Sequence, residues 1–146
     1  MQPGEPCSIG IGQFHTCGTI GEHRAFTAGV DEHDGADAAL ARMAALHPQV
    51  VFANELEAAV LGEGLRPDRL GGATVIVKRG PGPATLLRAG EPPIDVAALT
   101  LTEVKDTTGA GDAFAAGVLL ALADGADAVA AVQHGHDVAA ASLRAR

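Results

Sequence analysis

The glycine-rich stretch from Asp106 to Phe114 holds the residues whose types and spacing best suit chemistry. Its two glycines with one alanine between them, Gly109, Ala110 and Gly111, let consecutive backbone N–H groups point the same way. At a helix N-terminus such groups carry roughly half a positive charge, which predicts an anion hole. Asp112 follows directly, and its carboxylate could accept a proton from a hydroxyl group beside the bound anion.

An anion hole next to a carboxylate suits phosphoryl transfer to an alcohol. In that reaction, positioning and charge stabilisation supply most of the rate. The same residues are also good helix starters, because Gly and Asp both favour the first positions of a helix. On physical grounds alone, a phosphate site and a plain helix cap explain the stretch equally well.

Other nucleotide-binding glycine motifs fail on the residues present. A dinucleotide fingerprint G-x-G-x-x-G beginning at Gly109 needs Gly or Ala at position 114, where the chain has Phe114. The second candidate, Gly10-Ile11-Gly12, has His15 at the corresponding place. The sequence has no G-x-x-x-x-G-K-[ST]. An NAD-binding module is therefore disfavoured, and a P-loop is excluded.

Composition narrows the class of protein further. The net charge is −8, with no Trp or Tyr, so a nucleic-acid-binding surface is not expected. The longest apolar run, Ala113 to Ala123, is far shorter than the roughly 20 residues of a membrane-spanning helix. The N-terminus does not resemble a signal peptide, and Cys7 and Cys17 are too few for a disulfide framework. We therefore expect a cytoplasmic location and no membrane partner.

Strand and helix signals alternate along most of the chain. We predict strands at Gln49–Ala53, Ala73–Lys78, Ala84–Arg88 and Leu99–Val104. We predict helices from Asp34 or Asp37 to Pro48, over Glu55–Leu61, from the glycine cluster to Asp124, and from Asp127 to about Leu143. This alternation predicts a mainly parallel α/β sheet that binds its ligand at the carboxyl ends of the strands.

Residues 1–35 differ from the rest of the chain. They contain both cysteines and show no apolar period beyond Cys7 to Ile11, which predicts an irregular or weakly strand-forming segment separate from residues 36–146. His15, Cys17 and His23 have no fourth partner at a recognised spacing, so a metal site is not expected among them.

The signature Asp106 to Phe114, continuing into Ala115-Ala116-Gly117, resembles that of the PfkB, or ribokinase-like, family of sugar and nucleoside kinases. The match favours a phosphate site over a plain cap. The resemblance implies a ribokinase-like, Rossmann-like three-layer α/β fold, truncated here to its C-terminal half. It also implies that Asp112 is the catalytic base, that the Gly109 to Asp112 amides hold the transferred phosphoryl group, and that ATP with magnesium is the donor.

Three further places resemble the family. Val51 to Glu57 is similar to its N-x-x-E segment, which implies that Asn54 and Glu57 help to place magnesium and the phosphates. A capping box explains the same pair unaided. Val75 to Gly80 is similar to the nucleotide-facing strand and loop, which implies nucleotide contacts for Lys78, Arg79 and Gly80, although Pro83 stands where Gly is common. In the last helix, His136 falls beside the expected adenine position. The alternative is a solvated helix residue.

The resemblance covers Ala36 to about Leu143, whereas the family's N-terminal half supplies the lid and most groups that hold the sugar or nucleoside. We therefore expect a truncated carbohydrate or nucleoside kinase, or a non-catalytic remnant that binds nucleotide or a partner chain. Half of such a sheet should expose an apolar edge, which favours homo-oligomers, aggregation or partial folding.

Overall fold

The computed structural model describes residues 17–20, 23–27, 35–101 and 109–144, which form an α/β fold. The strands are β1 (Cys17–Ile20), β2 (His23–Thr27), β3 (Val50–Asn54), β4 (Thr74–Lys78), β5 (Ala84–Leu87) and β6 (Ile94–Val96). The helices are α1 (Gly35–Ala45), α2 (Glu55–Leu61), α3 (Ala110–Ala123) and α4 (Ala128–Arg144). Two short 3₁₀ turns, Gly62–Gly64 and Pro67–Arg69, follow α2.

The six strands form one mixed sheet in the order β1-β2-β3-β4-β5-β6. Only β2–β3 and β3–β4 are parallel, and the other three pairs are antiparallel. The expectation of a mainly parallel sheet is therefore wrong. The links from β4 to β5 and from β5 to β6 are tight turns, and a parallel crossover needs a connection of a dozen or more residues.

Helices cover both faces of the sheet, which gives three layers. Side chains alternate along β3, so that Val51 and Ala53 pack with α1 and α2 while Val50 and Phe52 pack with α3 and α4. All four are buried, as expected for a strand with a helix layer on each side. Of the helices in the described part of the chain, none is long and apolar enough to cross a membrane.

Two strands differ from the sequence prediction. Part of the segment predicted to be irregular forms β1 and β2, and Ala25 of β2 is buried beside its register partner Val50. Pairing with β3 therefore stabilises a strand that has weak local signals. The predicted strand Leu99–Val104 is not found over Leu99–Leu101, and its last three residues lie outside the described residues. The last strand among the described residues is Ile94–Val96, paired with β5.

Helices α3 and α4 cross in close contact at two glycines. A Cβ atom on Gly117 would lie 3.0 Å from the Gly135 Cα atom. A Cβ atom on Gly135 would lie 2.5 Å from Val118 Cγ2 and 2.8 Å from the Phe114 carbonyl oxygen. The crossing therefore brings the backbones together and sets the position of α3 against α4.

Candidate active site

Strands β3 and β4 are parallel, and they end next to each other at Asn54 and Lys78, which are register partners. The carboxyl ends of neighbouring parallel strands are the usual place for a ligand in an α/β sheet. The N-x-x-E segment, which begins at Asn54, therefore meets the end of β4 at Lys78. Both lie at the carboxyl-end edge of the sheet, although they are separated in the sequence.

Asn54 and Glu57 form a capping box at the start of α2. Asn54 Oδ1 accepts a hydrogen bond from the Glu57 backbone N–H at 2.8 Å, and Glu57 Oε2 accepts one from the Asn54 backbone N–H at 2.7 Å. Burial raises the pKa of Glu57, and the bond from Asn54 opposes that shift. The capping alternative is confirmed, and the cap still leaves one Glu57 oxygen for another partner.

The side-chain oxygens of Asn54 and Glu57 fit a magnesium ion that keeps most of its coordinated water molecules. In the described ranges, no three His, Cys, Asp or Glu side chains come together to hold a metal ion. Magnesium is commonly bound by one or two carboxylates together with substrate phosphates and water. The pair Asn54 and Glu57 suits that mode and does not provide a closed protein cage.

Lys78 links the end of β4 to helix α3. Its Nζ atom donates a hydrogen bond to the Gly80 carbonyl oxygen and lies 5.5 Å from the centroid of the Phe114 ring. Burial lowers the pKa of Lys78. A partly desolvated cation therefore stands close to the first turns of α3.

Helix α3 begins at a glycine in the left-handed conformation. Gly109 is the N-cap, with φ of 81°, and its carbonyl oxygen accepts the first helical bond from the Ala113 N–H at 3.0 Å. The N–H groups of Ala110, Gly111 and Asp112 precede that bond, so they have no partner within the helix. This arrangement has the form of the predicted anion hole.

The start of α3 is open to a ligand. Gly111 and Asp112 are exposed, and a Cβ atom on Gly111 would meet nothing within 4 Å. Asp112 stands in the first helical turn, directly after Gly111. The first residues of the signature, Asp106 to Thr108, lie outside the described residues.

Arg79 has protein partners at the other side of the sheet. Its Nη1 atom donates to Thr85 Oγ1 and lies 4.0 Å from Asp95 Oδ1, and Thr85 Oγ1 donates to Asp95 Oδ1 at 2.7 Å. This network joins β4, β5 and β6. Gly80, with φ of 52°, begins the turn between β4 and β5. The structure therefore brings Lys78 to α3, whereas it directs Arg79 to the edge strands.

His136 is a core residue. It is 2% exposed, its Nε2 atom lies 3.0 Å from the Val96 carbonyl oxygen, and its ring centroid lies 5.0 Å from that of Phe114. The pKa of His136 is lowered, mainly by burial and also by the positive charge of Lys78. The hydrogen bond to Val96 and the negative charge of Asp137 act in the opposite direction. The solvated alternative is wrong, because the side chain is buried, and the place beside adenine stays a prediction.

The sequence contains a signal for this burial. His136 lies four residues after Val132 and four before Ala140, and both of these are buried, so all three share one face of α4. Phe114 is a further residue at this place, and from the sequence it was named as the end of the signature without a role of its own. Its ring contacts His136 and Lys78, and it also meets the Phe52 ring edge to face at 6.3 Å.

The pfkB family carbohydrate kinase profile matches residues 14–146. The chain belongs to the pfkB family. The match begins well before residue 36 and includes the β1–β2 hairpin, while the boundary after residue 35 stays a prediction. The predicted resemblance is confirmed. A search of curated proteins found no match.

Solved structures with the same fold include ribokinase-family enzymes. An adenosine kinase from Sinorhizobium meliloti is 29% identical, with a TM-score of 0.62 over 75% of this pfkB chain and 35% of that one. Aminoimidazole riboside kinase from Salmonella enterica is 27% identical, with a TM-score of 0.61 over 74% and 39%. The Methanocaldococcus jannaschii nucleoside kinase is 24% identical, with a TM-score of 0.70 over 84% and 42%. The predicted ribokinase-like fold is confirmed, and the chain spans less than half the length of these enzymes.

Proposed function

We propose that this chain forms the nucleotide side of a PfkB-type kinase that moves the terminal phosphoryl group of ATP to a hydroxyl group of a sugar or nucleoside. The observation that carries the proposal is the start of α3. There, the left-handed Gly109 begins a helix whose first amides have no partner within the helix, and Asp112 follows in the first turn, in a chain of the pfkB family. Lys78 and Asn54 stand at the neighbouring strand ends.

Each group has a role that follows from its chemistry. The Ala110 and Gly111 amides donate hydrogen bonds to the phosphoryl oxygens, where negative charge has to be stabilised. Lys78 adds a positive charge from the end of β4. As the acceptor oxygen bonds to phosphorus and the bond to ADP breaks, Asp112 takes the hydroxyl proton. Asn54 and Glu57 would hold magnesium, which neutralises phosphate charge when bound.

The acceptor class is a sugar or nucleoside that presents a hydroxyl group. Two of the similar solved structures are named for adenosine and for aminoimidazole riboside, and both of those acceptors carry ribose. In-line transfer requires the hydroxyl oxygen within about 3 Å of the base. The groups that would hold the acceptor are not identified among the described residues.

A second candidate is nucleotide binding without transfer, or binding of a partner chain. The observation that favours it is length, since the chain covers 35% to 42% of the kinases compared above. A base and an anion hole accelerate transfer only when the acceptor is also held in place. Under this candidate the chain binds ATP–magnesium through α3 and forms no product.

Turnover distinguishes the two candidates. The pure 146-residue chain is incubated with ATP, magnesium and a panel of ribose, fructose, adenosine and pseudouridine. ATP binding with no product above background is the result that the second candidate predicts. Robust product that Asp112→Asn abolishes would instead establish transfer by this chain alone, and a failure to bind ATP would contradict both candidates.

Location and assembly are further predictions of the same account. We propose a cytoplasmic protein that self-associates through the edges of its sheet, where β1 and β6 are the outermost of the described strands. Light scattering of the pure chain tests the self-association, because a monomer at all concentrations would contradict it.

A further inference from the structure

A buried contact joins helix α4, helix α3 and the end of strand β4. Phe114 of α3 lies at its centre, with the His136 ring centroid at 5.0 Å and Lys78 Nζ at 5.5 Å. We call these three residues the Phe114 cluster. Phe114 is 1% exposed and His136 is 2% exposed, so both rings are buried.

His136 is fixed from two sides. A carbonyl oxygen can only accept, so His136 Nε2 carries a proton and donates it to Val96 at 3.0 Å. The bond ties α4 to the edge strand β6. On the same helix, Gly135 meets the Phe114 backbone so closely that a Cβ atom would lie 2.8 Å from its carbonyl oxygen. The His136 ring therefore has little freedom to move away from Phe114.

Phe114 in turn sets the direction of the first turn of α3. It lies two residues after Asp112 and is the first buried residue of that helix, whereas Gly111 and Asp112 are exposed. A helical turn is rigid, so the packed position of the Phe114 ring fixes the direction in which the preceding amides point. A small rotation at Phe114 would move the amides relative to the strand ends.

We propose that His136 is a positioning residue for the anion hole: by seating Phe114 and holding α4 to β6, it aims the Gly111 and Asp112 amides at the bound anion. This inference rests on the proposed function of those amides. It gives His136 a role that acts through the packing of the core.

The neutral form of His136 is the one that fits the buried position between Phe114 and Val96. The charged groups that act on it are the Lys78 cation at the end of β4, which opposes a second positive charge, and the Asp137 carboxylate on its own helix, which favours one. Burial without a carboxylate partner disfavours the imidazolium form and lowers the pKa of His136. Acid should therefore displace the ring and weaken anion binding.

The test uses sulfate, whose charge does not change between pH 5 and pH 8, so any pH effect comes from the protein. The full chain is labelled with ¹⁵N-glycine, and the Gly111 amide resonance is followed during sulfate titrations at pH 7.5 and pH 5.5. The variants are His136→Gln, which is neutral at both pH values and keeps a donor, and His136→Leu, which has no donor. His134→Gln is the matched control, because His134 is exposed on the same helix.

In the wild type and in His134→Gln we expect affinity to fall at least about threefold at pH 5.5. In His136→Gln most of that fall should disappear, and His136→Leu, if folded by circular dichroism, should bind about tenfold more weakly at pH 7.5. If His136→Leu does not fold, the pH comparison decides. A wild-type pH dependence in His136→Gln, or wild-type affinity in a folded His136→Leu, would overturn the proposal. If sulfate does not shift Gly111 in the wild type, the anion hole itself is wrong.

Discussion

Asn54 and Lys78 stand side by side as the last register partners of two parallel strands, β3 and β4. Because Asn54 begins α2 and Lys78 lies over the Phe114 ring of α3, this one pairing brings three separate chain segments to the same edge of the sheet. The parallel register thus places the capping box, a cation and the start of α3 where a phosphate chain with its magnesium ion could bridge them.

The two roles of the capping box can be separated by substitution. Glu57→Gln keeps an acceptor for the Asn54 N–H but removes the charge, so we expect the free energy of unfolding to hold within about 0.5 kcal/mol. The gain in ATP affinity on adding magnesium should shrink. Urea unfolding and calorimetry with and without magnesium measure the two effects.

Asn54→Ala serves as the comparison, since it removes the cap itself and should cost about 1 kcal/mol of stability. If Glu57→Gln leaves both the stability and the magnesium-dependent affinity unchanged, Glu57 has only the structural role and its assignment as a metal ligand is wrong.

Stability should depend strongly on the glycine at the crossing of α3 and α4. In Gly135→Ala the new Cβ atom meets the Phe114 carbonyl oxygen and Val118, and we expect a loss of about 1–3 kcal/mol in the free energy of unfolding. Gly111→Ala is the matched control, because its Cβ atom meets nothing within 4 Å, and it should not destabilise. Equal stabilities of the two variants in urea would contradict the close backbone contact.

His136 should make stability depend on pH. Its folded-state pKa lies below the unfolded value of 6.5, so the unfolded chain binds the proton more readily. The contribution is therefore fully present above pH 6.5 and is lost as the pH falls towards the lower folded-state pKa. Between pH 7.5 and pH 5.5 the wild type should lose more unfolding free energy than His136→Gln. Parallel losses would show that His136 has the same pKa in the folded and unfolded states, so that burial does not lower it.

Local signals allowed some elements to be predicted with accurate bounds. Helix α2 spans the predicted Glu55–Leu61, because its start is set by the capping box and its end by Gly62, which has φ of 53°. The last helix begins after Asp127, whose carboxylate accepts a hydrogen bond from the Ala130 N–H at 2.8 Å. Such caps involve residues within four positions of each other, so the sequence alone carries them.

Elements that depend on distant partners were not predictable in the same way. Strand β2 depends on pairing with β3, and β6 has three residues that depend on β5. In the site, the glycine turn at Gly109 is a local feature and was predicted. The burial of His136 depends on α3 and β6, and its polar neighbours His134 and Asp137 obscured the apolar period of α4.

The most direct test of the anion hole is the calorimetric affinity of the chain for ATP–magnesium in the wild type, Gly111→Val and Asp112→Asn. The Cβ atom of a residue at position 111 would meet nothing within 4 Å. We predict that the larger valine side chain occupies the space that the phosphates need, with a loss of at least about tenfold in affinity, or about 1.4 kcal/mol. Asp112→Asn removes a negative charge beside the phosphates, so its affinity should hold or rise. Equal affinity in the wild type and a folded Gly111→Val would contradict the account, because the phosphates would then bind away from the start of α3.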